Sequence, residues 1–134
     1  MTVTYEWRGA FENAELGTLH AEGFDYVPGD HDWRGQLEGH SLGWVCARRP
    51  DGQLVGFVNV VWDGGLHAIV LDTVVALSER RHGVGATLVA EAAHGARAAG
   101  CEWLHVDFEE RLQPFYFDAC GFKPTHAGLI NLRS

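Results

Sequence analysis

Apolar and polar positions alternate at two different periods along this chain, and the changes of period mark its elements. Residues Val3 to Arg8 alternate and predict a first strand. Ala14, Leu16, Leu19 and Ala21 fall at helical spacing, so a helix is expected from Asn13, whose side chain can cap it, to about Gly23. Periodicity then disappears from Gly23 to Gly43, a stretch rich in Gly, Asp, His and aromatic residues with a turn at Pro28-Gly29. That stretch reads as an irregular, functional loop, with a second short helix around Asp32 to Gly39 as the alternative. Gly43 to Arg49 and Leu54 to Trp62 are apolar runs bracketing Pro50-Asp51-Gly52, the pattern of a β-hairpin. Asp63-Gly64-Gly65 turns the chain into a third strand, Leu66 to Ala76, completing an antiparallel meander.

The second half changes period. Val84, Leu88, Val89, Ala92, Ala96 and Ala99 form one helical stripe from Gly83 to Ala99, and Gly100 stands where a left-handed residue ends a helix. Trp103 to Phe108 alternates as a strand, which must lie parallel to its predecessor after a helical crossover. Pro114 suits the first turn of a short helix ending at Cys120 and capped by Gly121. Phe122 to His126 and Leu129 to Leu132 predict a last hairpin across Ala127-Gly128.

Composition narrows the function classes. With 134 residues, 46% of them hydrophobic, the chain suits a single domain, residues 1–134, with a sizeable core. The longest apolar runs contain Gly and Asn and fall short of the roughly 20 residues of a membrane span. The first ten residues lack a basic segment followed by an apolar one, so a soluble cytoplasmic protein is expected. Cys46, Cys101 and Cys120 are far apart and odd in number, which argues against a disulfide framework, and the eight histidines lack metal-ligand spacing, so no metal is expected. Net charge is −8, with ten acids against four bases in residues 1–64. An acidic surface disfavours nucleic acid and fits a cationic small molecule such as an amine.

The candidate chemistry centres on Leu71 to Leu88, LDTVVALSERRHGVGATL. An apolar strand meets a basic corner, and Gly83-Val84-Gly85 then opens the long helix. Glycines let backbone approach a ligand, the first helical N–H groups lack partners, and Arg80 and Arg81 add charge, so an anion is the natural occupant. The Lys-Ser/Thr pair of a P-loop is absent after Gly85, and the third glycine of a dinucleotide fingerprint is replaced by Leu88.

Arg80-x-x-Gly83-x-Gly85 after an apolar strand resembles the acyl-CoA signature of the GNAT superfamily of N-acetyltransferases. The element order agrees with that family, and Phe115-Tyr116 followed by Gly121-Phe122 resembles its later aromatic motif. The resemblance covers roughly residues 54–125. It implies an α+β fold, a three-layer sandwich whose mixed, mostly antiparallel sheet has six to seven strands, one parallel crossover and helices on both faces. It implies acetyl-CoA as co-substrate, its pyrophosphate on the turn formed by Arg80, Arg81, His82, Gly83, Val84, Gly85 and Ala86. The pantetheine arm would pair with the main chain around Thr73, Val74 and Val75, the neighbouring strand splaying away. Tyr116 would be the general acid for the leaving thiolate. Tyr116 lies five residues before Gly121 where the family spacing is four, which puts Phe117 in competition for the position, and Glu109 stands where many relatives carry Asn. Asp72, Asp107, Glu109 and His67 are the candidate bases. The expected activity is direct acyl transfer to the primary amine of a small molecule. The alternative is an acyl-CoA-binding module of the same fold without turnover, and pairing of final strands into a homodimer is left open.

Overall fold

The protein is described here from a computed structural model covering residues 2–133. Five strands, β1 (Thr4–Trp7), β2 (Ser41–Arg48), β3 (Leu54–Trp62), β4 (His67–Val75) and β5 (Trp103–His105), form one sheet in the order β1-β2-β3-β4-β5. The first four pair antiparallel and β5 joins β4 in parallel. Helices α1 (Asn13–Phe24) and α2 (Trp33–His40) connect β1 to β2, and α3 (Val84–Ala98) connects β4 to β5. A π-helical segment, α4 (Pro114–Ala119), follows β5.

The core sits on both sides of β3, where Val55, Phe57, Val58 and Val60 are all 0% exposed. A strand buried on both faces reads as a continuous apolar run, as Leu54 to Trp62 does. Gly56 opens onto Leu88 and Val84 of α3, while the next residue, Phe57, meets Phe11 ahead of α1 edge-on at 6.1 Å. Successive strand residues face opposite ways, so α3 and α1 cover opposite faces of the sheet.

Several local expectations change. The loop after α1 contains the helix α2, capped by Asp32, whose carboxylate accepts from the Gly35 N–H at 3.0 Å. Asn13 does not cap α1: Glu12 is the cap residue, its N–H donating to Glu15 at 2.9 Å, and Asn13 instead bonds Asp32 and accepts from the Arg34 N–H, tying α1 to α2. The sheet has five strands where six to seven were expected, because residues 122–133 form none. Pro124 removes a ladder donor in the middle of the first predicted strand. Leu129, Ile130 and Leu132 are consequently 80–92% exposed. The crossover strand also stops early, at His105 rather than Phe108, which leaves most of β4 without a partner on that side.

Glu15 also clasps Arg48 of β2 through both carboxylate oxygens, at 2.9 and 2.7 Å. This hydrogen bond holds the Glu15 carboxyl below its ordinary 4.5. A depressed acid contributes stability that is present above its unfolded value and lost as pH falls through the folded one. Glu15→Gln should therefore cost about 1 kcal/mol at neutral pH. Urea unfolding should show that the difference from wild type shrinks as pH drops below about 4.5.

Candidate active site

The site is built around a break in β4. Phe57 pairs with Val74 and Asn59 with Leu71, so Val58 stands opposite two residues, Asp72 and Thr73. That is a β-bulge, and it holds Asp72 at φ 59, a left-handed conformation that non-glycine residues seldom adopt. β5 pairs only with His67, Ala68 and Ile69, so from Leu71 onward the outer edge of β4 is open. An unpaired strand edge is a template for another extended chain. Along it the Val75 carbonyl accepts from Arg80 Nε at 3.2 Å.

The turn beyond β4 is a 3-10 segment, Leu77–Glu79, followed by Arg80 to Gly83. Arg81 and Gly83 take left-handed φ of 69 and 78, and Gly83 caps α3 with no side chain bonded to the helix start. The first amides of α3 therefore keep their hydrogen-bonding capacity for an anion. Arg80, Arg81 and His82 lie exposed around them. Glu79 is buried beneath the turn, 3.6 Å from Arg49 and 3.5 Å from His82, and anchors it from below. A separate cleft of about 470 Å³ lies between β1 and this turn, lined by Tyr5, Arg49, Glu79 and His82 among others. Gly85 has a protein neighbour: a Cβ there would come within 3.0 Å of the Phe115 ring and 3.6 Å of Val75. The absence of that Cβ seats α4 against the start of α3.

α4 resolves the spacing of the aromatic motif. Its π turn is closed by a bond from the Cys120 N–H to the Phe115 carbonyl at 2.9 Å, which takes up one extra residue ahead of Gly121. Tyr116 is thereby turned inward and is 7% exposed, stacked on Phe108 at 4.6 Å with Phe115 and Phe122 edge-on. Phe117 is half-buried against the edge of Phe108. Burial in this aromatic shell pushes the Tyr116 hydroxyl above its usual value, with Cys120 and Asp107 acting the same way and the nearby Thr73 hydroxyl against them. The Thr73 hydroxyl is buried and makes no hydrogen bond of regular geometry among the described residues.

Asp72 turns the other way, toward α1. Its carboxylate accepts from His20 Nε2 at 2.9 Å and from Asn59 Nδ2 at 3.1 Å, and Asn59 accepts from the Ser41 hydroxyl. His20 Nδ1 in turn lies 2.7 Å from the Tyr26 hydroxyl. Burial first, and then the charge of Asp72, push that hydroxyl above its ordinary value. Tyr26 returns to His20 because Asp25 ends α1 in the left-handed region and the Tyr26 N–H bonds the Ala21 carbonyl at 3.1 Å, a Schellman-type reversal.

The bulge thus sets Asp72 against α1 and Thr73 beside Tyr116. Asp107 and Glu109 stand on the segment after β5, exposed, and Glu109 is held by Arg111 at 2.8 Å. His67 lies at the far end of β4, paired with His105 at 2.8 Å. His20 and Tyr26 join this cluster without having been candidates by residue, although Tyr26 lies in the stretch from Gly23 to Gly43 that reads as a functional loop. His20 sits on the α1 stripe 52 positions from Asp72, and its only local signal is the cluster of aromatic residues that follows it.

The chain belongs to the acetyltransferase (GNAT) family, whose pattern it matches over residues 4–122. Its fold is similar to that of a GNAT-family acetyltransferase from Streptococcus pneumoniae, with a TM-score of 0.75 at 22% identity, covering 98% of this chain and 99% of that one. Glucosamine-6-phosphate N-acetyltransferase from Arabidopsis thaliana also has a TM-score of 0.75, at 17% identity and 98% and 99% coverage. An aminoglycoside N-acetyltransferase, solved in complex with CoA, gives 0.76 at 17% identity, covering 97% of this chain and 93% of that one. No curated protein matches the chain.

Gly85→Ala tests the seating of α4. The added Cβ gains helix propensity but crowds Phe115, and the net cost should be about 1 kcal/mol. In a Phe115→Leu background that cost should largely vanish in urea denaturation, since the two sites are in contact.

Proposed function

We propose that the chain is an acetyl-CoA-dependent N-acetyltransferase that transfers an acetyl group directly to the primary amine of a small molecule. The observation that carries this reading is the open edge of β4, with the start of α3, whose glycine cap leaves its first amides free of side-chain bonds, at one end and the buried Tyr116 beside Thr73. The main-chain amides from Gly83 to Ala86, with Arg80, Arg81 and His82, would hold the pyrophosphate. Main-chain groups of Thr73, Val74 and Val75 would hold the pantetheine arm as an added strand. Acetyl-CoA supplies the acetyl group as a thioester. Around it, Tyr116 carries a proton at neutral pH, as tyrosines do, with burial pushing its hydroxyl further up, and can deliver that proton where a thiolate departs. Asp72 supplies the negative charge on the amine side of the bulge. Asp107 tunes Tyr116 from nearby, while Glu109, tied to Arg111, is better placed to meet a cationic acceptor than to work as a base. The acidic first half of the chain favours a cationic acceptor as well.

Acetyl-CoA should raise the melting temperature by mass action on the folded state, by an amount that grows with ligand concentration. No shift at saturating ligand contradicts the reading. Thiol release from acetyl-CoA across a panel of primary amines should identify an acceptor, and Tyr116→Phe should then lower kcat about 100-fold with little change in the thermal shift. An unchanged rate in that variant removes Tyr116 as the acid, and a silent panel with a normal thermal shift favours a binding module.

A further inference from the structure

We infer that the proton acceptor for the incoming amine is His20 Nδ1, reached through the Tyr26 hydroxyl, with Asp72 fixing the imidazole from behind. This inference rests on the transferase reading and names the groups on its acceptor side. The direction of each hydrogen bond supports it. An ionised carboxylate only accepts, so the 2.9 Å bond to Asp72 puts the imidazole proton on Nε2. In the neutral ring the lone pair is then on Nδ1, and the Tyr26 hydroxyl 2.7 Å away donates to it. Asn59, 1% exposed, donates to the second Asp72 oxygen, so each oxygen already accepts one hydrogen bond from the protein.

Access is graded in the same order. Side-chain exposure is 12% for His20 and 23% for Asp72, whereas Tyr26 is 45% exposed at the surface. Phe24 and Trp33 close over the ring of His20, with centroids at 4.4 and 4.6 Å. The ionisable groups bonded to His20 are Asp72 from β4 and Tyr26 from the α1–α2 connection; His31 packs edge-on with Trp33 at 4.7 Å. An amine arriving from solvent therefore meets the Tyr26 hydroxyl first. The step balances as a relay: the ammonium N–H passes its proton to Tyr26 Oη as the Tyr26 hydroxyl passes its own to His20 Nδ1. The products are a neutral amine, a neutral tyrosine and an imidazolium beside the Asp72 carboxylate. Neither His20 nor Asp72 needs to touch the substrate, which makes His20 the proton store and Tyr26 the contacting group.

The test has two arms on the full chain. In the first, ring nitrogens are observed by two-bond proton–nitrogen NMR with CoA at saturation, and the His20 signals are identified by their loss in His20→Gln. The neutral ring should carry its proton on Nε2 and none on Nδ1, and Asp72→Asn should redistribute it; a proton on Nδ1 in the wild type overturns the relay. In the second, kinetics use the best amine from the acceptor panel. His20→Gln should lower kcat about 100-fold, leave KM for acetyl-CoA and the acetyl-CoA thermal shift unchanged, and remove the levelling-off of the kcat/KM profile, so that the rate keeps rising with pH where the wild type reaches a plateau. Tyr26→Phe, which keeps the ring and removes only the hydroxyl, should show the same change of profile. A wild-type pH profile in both variants overturns the relay while leaving the transferase reading intact. Loss of the thermal shift in His20→Gln overturns it too, by showing a role in holding the sheet. Failure of the wild type to acetylate any amine overturns the transferase reading itself.

Discussion

Everything at this site depends on one backbone irregularity, the bulge that sets Asp72 and Thr73 opposite the single residue Val58. In a regular strand these neighbours would simply alternate between the two faces of the sheet. The left-handed conformation of Asp72 departs from that regular pleat: its carboxylate bonds His20 of α1, while Thr73 lies beside Tyr116. A strained φ at a non-glycine residue costs on the order of 1 kcal/mol and persists only where its surroundings determine it. Here they do so through Asn59 and His20, which both donate to the same carboxylate.

The open edge lies on the other side of the same strand. β4 is paired along its length to β3, but β5 follows it for only three residues and then departs into the segment that carries Asp107 and Glu109. The gap is walled by α4, and α4 is seated by the missing side chain of Gly85 at the start of α3. The turn proposed for the cofactor and the proposed acid are therefore mechanically joined: Gly85 touches Phe115, and Phe115 packs edge-on against Tyr116 at 4.8 Å. A disturbance of that turn should reach the tyrosine through two contacts.

The regular parts of this fold were legible in the sequence. Leu54 to Trp62 announces a strand buried on both faces, the stripe from Val84 to Ala96 announces α3, and Gly83 and Gly100 mark its two ends in the left-handed conformations such positions take. What was not legible depends on contacts between distant residues or on conformations that a residue's identity does not suggest. Asp25 and Asp72 occupy left-handed positions that glycine would advertise. His20 looks like one more residue on a helix until the fold brings Asp72 against it. The extra residue in the aromatic motif becomes intelligible once the helix is seen to be a π turn, which admits it without displacing Tyr116. The last predicted hairpin fails for an opposite reason, because its alternation was local and Pro124 denies it a ladder.

The central claim is that the Asp72–Thr73 bulge divides the site into an amine side and a thiolate side, and a crystal structure with acetyl-CoA bound tests it most directly. The account expects the pyrophosphate on the amides from Gly83 to Ala86, the pantetheine arm along the open edge of β4, and the thioester between Tyr116 on one side and Tyr26 with His20 on the other. Cofactor seated instead in the cleft between β1 and the turn, or a thioester with Tyr116 and Tyr26 on the same side, would contradict it.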